Sequence, residues 1–153
     1  MTHEQALSPI ERMLAEQACR DVVVQAAWLT DTQDHEGFAA LFTDDGVLIR
    51  PTAQALQGHA AIVASYRARP AGRITRHLIS NTLVTLESDT QAHGTSSVLL
   101  WTGLESDEAG PWGRPAQARQ LVGEFEDRFL LTPKGWRIHR REARFILFRE
   151  ENA

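Results

Sequence analysis

The sequence predicts an α+β fold in which N-terminal helices pack against one face of a strongly curved antiparallel sheet. Three observations predict it. Helical periodicity is confined to the first half of the chain, four long β-branched stretches fill the second, and those stretches come in two pairs joined by short turns. At 153 residues, 42% hydrophobic and 24% charged, the chain reads as one globular domain spanning residues 1–153.

The first helix is announced by Ser8-Pro9-Ile10-Glu11, a capping box with proline at the first helical position. Ile10, Leu14, Ala18, Val22 and Ala26 recur at helical spacing as far as about residue 29, and are expected to form its core face. Val24, Trp28 and Asp31 follow at spacings of four and three, placing Asp31 at the end of an apolar stripe if the last turn persists. A carboxylate at a helix C-terminus meets partial negative charge, so it needs another reason to be there. The alternative is a polar turn in which Asp34 caps a short second helix over residues 35–42.

Residues 43–46 read as a turn and residues 47–50 as a short strand ending at Pro51. Gly58 and His59 precede a third helix over residues 60–69, which Pro70-Ala71-Gly72 stops. Strands are then expected over residues 74–87, 90–104, 120–132 and 136–148. Residues 105–118 form the one irregular segment of note, either a surface connector or a cover over a pocket; Trp112 at its centre is costly to leave in water.

On the first long strand, period two puts His77, Ile79, Asn81 and Leu83 on one face. A histidine and an asparagine among apolar neighbours suit a cavity wall with a few polar groups. They equally suit a core histidine satisfied by a backbone carbonyl. If the fold brings Asp31 to His77, the carboxylate fixes the imidazole's tautomer and makes it a general base.

The net charge of −4 argues against a nucleic-acid partner, which needs a clustered basic surface. The basic run over residues 137–144 alternates with apolar residues like a strand with one wet face. No stretch approaches the length a membrane-spanning helix needs, and the cytoplasm is the expected location. Cys19 is the sole cysteine, and its place inside a helix suits a small buried apolar residue. His3, His35, His59, His77, His93 and His139 show no metal-ligand spacing, so no metal is expected.

Several segments together resemble the SnoaL-like branch of the nuclear transport factor 2 superfamily. They are Trp28-Leu29-Thr30-Asp31, the stretch from Gly37 to Gly46, Gly58 before Ile62, Thr75-Arg76-His77-Leu78-Ile79-Ser80-Asn81, and Gly135-Trp136-Arg137-Ile138 with Arg140 or Arg141. The resemblance implies a cone-shaped α+β barrel enclosing a mostly apolar cavity, of the cystatin-like or NTF2-like kind. Members include scytalone dehydratase, a dehydrochlorinase, ketosteroid isomerase and the small subunits of ring-hydroxylating dioxygenases. In the first two, an aspartate at the end of the first helix pairs with a strand histidine that acts as base, and Asp31 and His77 fall at those places.

The chain departs from the family pattern, and the tyrosine-aspartate oxyanion site of ketosteroid isomerase is not recognisable in it. Trp28 stands where many relatives have tyrosine, and the second histidine of scytalone dehydratase has no clear counterpart, His93 lying near the start of the next strand.

The resemblance therefore implies a dehydratase-like lyase or isomerase without cofactor, with Asp31 and His77 catalytic. Trp28, Phe42, Asn81, Leu83, Trp101 and Phe145 are expected to shape the site for a small apolar or aromatic substrate, in a homodimer or higher homo-oligomer. The alternative is a non-catalytic ligand-binding module or dioxygenase small subunit.

Overall fold

The computed structural model describes residues 6–150. Helix α1 (Pro9–Asp31) begins at the capping box: Ser8 Oγ accepts from the Glu11 N–H over 3.3 Å, and Glu11 accepts from the Ser8 N–H over 2.8 Å. Its buried face runs through Cys19, Val22, Val23, Ala26, Ala27 and Thr30. Ile10 and Leu14, expected in the core, are exposed, because the fully buried stretch of α1 begins only at Cys19. Asp34 caps α2 (His35–Ala40), its Oδ1 accepting from the Gly37 N–H over 2.8 Å.

Strand β1 (Phe42–Ile49) starts earlier than expected, and the polar residues Thr43 to Gly46 form an irregularity within it rather than a separate turn. A short β2 (Ala55–Gln57) leads directly into α3 (Gly58–Arg67). Four long strands follow: β3 (Arg73–Leu86), β4 (Gln91–Leu104), β5 (Gln120–Thr132) and β6 (Gly135–Arg149). They form one curled, unclosed sheet in the order β2-β1-β6-β5-β4-β3. All neighbouring pairs are antiparallel except β1 with β6, which run parallel.

The helices fill the inside of this sheet. Val23 and Ala26 of α1 and Phe38 of α2 pack with Phe42, Ile62, Phe129 and Ile138 into one cluster. Phe38 meets Phe42 edge-on at 5.4 Å between ring centres.

Three bulges set which side chains point inward. Ser80 pairs with Ser97 and Leu83 with Thr95, so β3 carries one more residue than β4, and Asn81 sits there at φ 50°. In β6, His139 is the extra residue between the Phe129–Ile138 and Arg128–Arg140 pairs, and Ile146 is extra between Gly123–Phe145 and Val122–Leu147. Each insertion reverses the inward parity of the strand beyond it.

The parity change corrects the reading of the basic run. Past His139 it is Arg141 that turns inward, 3% exposed, and it pairs bidentately with Asp127 through bonds of 2.7 Å each. Residues 105–118 form a surface connector, with Trp112 98% exposed.

Candidate functional site

Asp31 is the last residue of α1, and its carboxylate is answered by donors from β3. Thr75 Oγ1 donates to Oδ1 over 2.9 Å, and the His77 N–H donates to Oδ2 over 2.8 Å. His77 Nδ1 lies 2.6 Å from Oδ1. These donors compensate the unfavourable helix end. Burial pushes the Asp31 carboxyl up, but the bonds from His77 and Thr75 and the attraction of the imidazole outweigh it, leaving its pKa below the ordinary value.

An ionised carboxylate only accepts, so in the neutral ring Nδ1 carries the proton and Nε2 keeps its lone pair. Nε2 has no hydrogen-bond partner among the described residues. The ring forms part of the wall of a cavity of about 300 Å³ between the helices and the sheet. Asp31 stands behind it, outside the cavity lining.

The cavity is largely apolar. Ala26, Ala27 and Phe38 face it from the helices, and Val98, Leu100 and Phe125 from the sheet. Gly123 lies on the floor where the β6 bulge presses close: a Cβ there would stand 2.8 Å from the Arg144 carbonyl oxygen. Thr30, Tyr66 and Thr75 add hydroxyls, and arginines 50, 69, 73, 141 and 144 add charge.

The six side chains expected along the wall are dispersed. Phe145 does line the cavity, at its half-exposed rim. Phe42 is buried behind Phe38, one layer further from the space. Trp28 is 69% exposed on the outer side of α1, since the inward face passes through Ala26, Ala27 and Thr30. Asn81 sits in the β3 bulge and Leu83 just beyond it, so both leave the face that His77 shares. Trp101 stands opposite Arg76 on the outer face of the sheet.

Sequence reasoning missed Tyr66 and the arginines. For Arg73 a signal exists, since it shares the period-two face of Thr75 and His77; for Arg141 the signal is hidden by the bulge.

Other chemistry-bearing groups lie elsewhere. Burial pushes the Cys19 thiol up to about 12, so it is no nucleophile. His93 bonds to Glu87 on the surface, while His3 lies outside the described residues. Among the described residues no three metal-ligating side chains converge, and no helix is long and apolar enough to cross a membrane.

The SnoaL-like domain profile matches residues 11–142. The chain belongs to the SnoaL-like family. Three solved structures similar to this SnoaL-like chain place its fold. A Novosphingobium aromaticivorans protein named for scytalone dehydratase is 21% identical, covering 95% of this chain and 93% of its own, with a TM-score of 0.79. A hexachlorocyclohexane dehydrochlorinase from Novosphingobium barchaimii is 14% identical, covering 95% and 96%, with a TM-score of 0.79. A protein of unknown function from Mycobacterium tuberculosis is 24% identical, covering 93% and 78%, with a TM-score of 0.73. At these identities the likeness is one of fold. No curated protein sequence matches this SnoaL-like chain significantly.

Proposed function

We propose that this SnoaL-like chain is a cofactor-independent acid/base lyase or isomerase, acting on a small molecule with an apolar body held in the internal cavity. The observation that carries the reading is the 2.6 Å contact of Asp31 Oδ1 with His77 Nδ1, in a ring whose other nitrogen is unpartnered at the cavity wall. The two similar structures named for a dehydratase and a dehydrochlorinase support the reaction class.

In this mechanism His77 Nε2 takes a proton from a carbon beside an activating carbonyl. The released electron pair forms the new double bond. In an elimination, hydroxide leaves the neighbouring carbon and receives the proton from the imidazolium, departing as water. In an isomerisation, the imidazolium returns the proton two carbons further on. Asp31 acts as a positioning residue, holding the tautomer and stabilising the imidazolium.

Exposed Leu147 and Phe148 on β6, with Val24 and Trp28 on α1, support a homodimer or higher assembly, since so many large apolar side chains are rarely left in water.

The test is a panel of β-hydroxy carbonyl and β,γ-unsaturated carbonyl compounds, read by the absorbance of the conjugated product. One class should turn over, and His77→Ala and Asp31→Asn should each lose more than about 10²-fold in kcat/KM with folding intact. Near-full activity in either variant rejects the mechanism, and turnover of neither class leaves a ligand-binding module.

A further inference from the structure

The cavity also carries charge that the proton-transfer chemistry does not use. Arg50 follows the last residue of β1, Arg69 lies two residues beyond α3, and Arg73 opens β3, so three separate elements bring guanidiniums to one cavity. No Asp or Glu lines that cavity, and among the described residues none lies within 4.0 Å of these three. The contrast with Arg141 is direct: that guanidinium, on the same cavity, is neutralised by Asp127.

The three are nevertheless held in place. Arg50 Nη1 donates to Ser65 Oγ over 3.0 Å. Arg69 stacks on the Tyr66 ring with Cζ 3.8 Å from its centre, and its Nε is buried without a hydrogen-bond partner. Burial lowers the Arg69 pKa, and Arg50 and Arg73 lower it further while Tyr66 opposes them, yet a guanidinium stays protonated under any working condition. The C-terminal dipole of α3 offsets about half of one charge, far short of three. Uncompensated like charges in a partly desolvated cavity repel, and a buried donor without an acceptor is itself destabilising. In a chain whose net charge is −4, such a cluster calls for a bound anion to complete it.

We propose that Arg50, Arg69 and Arg73 form an anion-binding subsite, and that the substrate is a small acid with an apolar body and one anionic oxygen group. The planar guanidinium fork matches the paired oxygens of a carboxylate or a phosphate monoester. Arg73 and His77 share the inward face of β3, four residues apart, or roughly 13 Å along the strand. An acid gripped at the arginines therefore extends its carbon skeleton along the apolar wall toward Nε2. That the acid is turned over, rather than only bound, rests on the function proposed above.

The test is binding, so it stands apart from catalysis. Benzoate, phenyl phosphate and the neutral benzamide are titrated into the full-length protein at low salt and followed by backbone NMR shifts of cavity residues. Benzoate or phenyl phosphate should bind at least about tenfold more tightly than benzamide, and added salt should weaken the anions alone. Tighter benzoate identifies a carboxylate subsite and tighter phenyl phosphate a phosphate one; both support the proposal. Arg73→Gln and Arg69→Gln should each weaken the anion by about 10- to 10²-fold and leave benzamide unaffected. Should Arg69→Gln fail to fold, Arg73→Gln and the salt dependence decide. Equal affinity for benzoate, phenyl phosphate and benzamide, or anion binding unchanged in Arg73→Gln, overturns the proposal. Loss of turnover in His77→Ala bears only on the base, and retained anion binding in that variant would keep the subsite even if the catalytic reading fell.

Discussion

His77 meets Asp31 through two separate bonds: ring Nδ1 lies 2.6 Å from Oδ1, while the backbone N–H of the same residue donates to Oδ2 over 2.8 Å. The carboxylate thus fixes the imidazole's orientation and the strand's position against the end of α1 together. One residue joins helix to sheet at the point where the proposed base needs to be rigid.

That double attachment gives Asp31 a pH signature. Its folded-state pKa lies below the ordinary value of 3.8, since the bonds from His77 and Thr75 outweigh burial. Between the two values the unfolded chain binds the proton and the folded chain does not. The stabilisation is complete above the ordinary value and is lost as pH falls through the folded one. Urea unfolding midpoints measured from about pH 6 to about pH 3 should decline more steeply in the wild type than in Asp31→Asn. Parallel declines would contradict the linkage.

Asp127 and Arg141 are buried together, 1% and 3% exposed at their side chains, so removing one strands the other. Asp127→Ala should cost about 3–5 kcal/mol in unfolding free energy. Replacing both residues by apolar ones of similar volume should recover most of that loss, as denaturant titration would reveal.

Cavity and surface aromatics should part company. Phe145→Ala widens the cavity rim and should change the affinity of cavity ligands severalfold, whereas Trp28→Ala should leave it unaltered. NMR titration with an aromatic acid makes the comparison. An equal loss in Trp28→Ala would place the ligand elsewhere.

The bulge in β3 depends on a backbone conformation that asparagine tolerates and β-branched residues do not. Asn81→Val should destabilise the fold by about 1–2 kcal/mol and Asn81→Gly should be near neutral, measured by thermal or urea unfolding.

What could be read from the sequence was local. The capping box at Ser8, the Asp34 cap and the four strand patterns are signalled by adjacent residues, and the observed elements lie close to them. The positions of Asp31 and His77 at the end of a helix and on a strand were legible for the same reason. Their contact was not, except through family resemblance, because it joins residues 46 apart in the chain. The bulges at Asn81, His139 and Ile146 were invisible to strict alternation, which misplaced Asn81 and Leu83 and made Arg141 look wet. Helical spacing grouped Ile10 with Val22, but it cannot tell how far along the helix the sheet extends.

The most direct measurement of the central claim is the ring ¹⁵N spectrum of His77, in the wild type and in Asp31→Asn. The neutral ring should carry its proton on Nδ1 in the wild type, leaving Nε2 unprotonated toward the cavity, and this preference should weaken in the variant. A wild-type ring protonated on Nε2 would contradict it, since that nitrogen would then have no lone pair with which to take a proton.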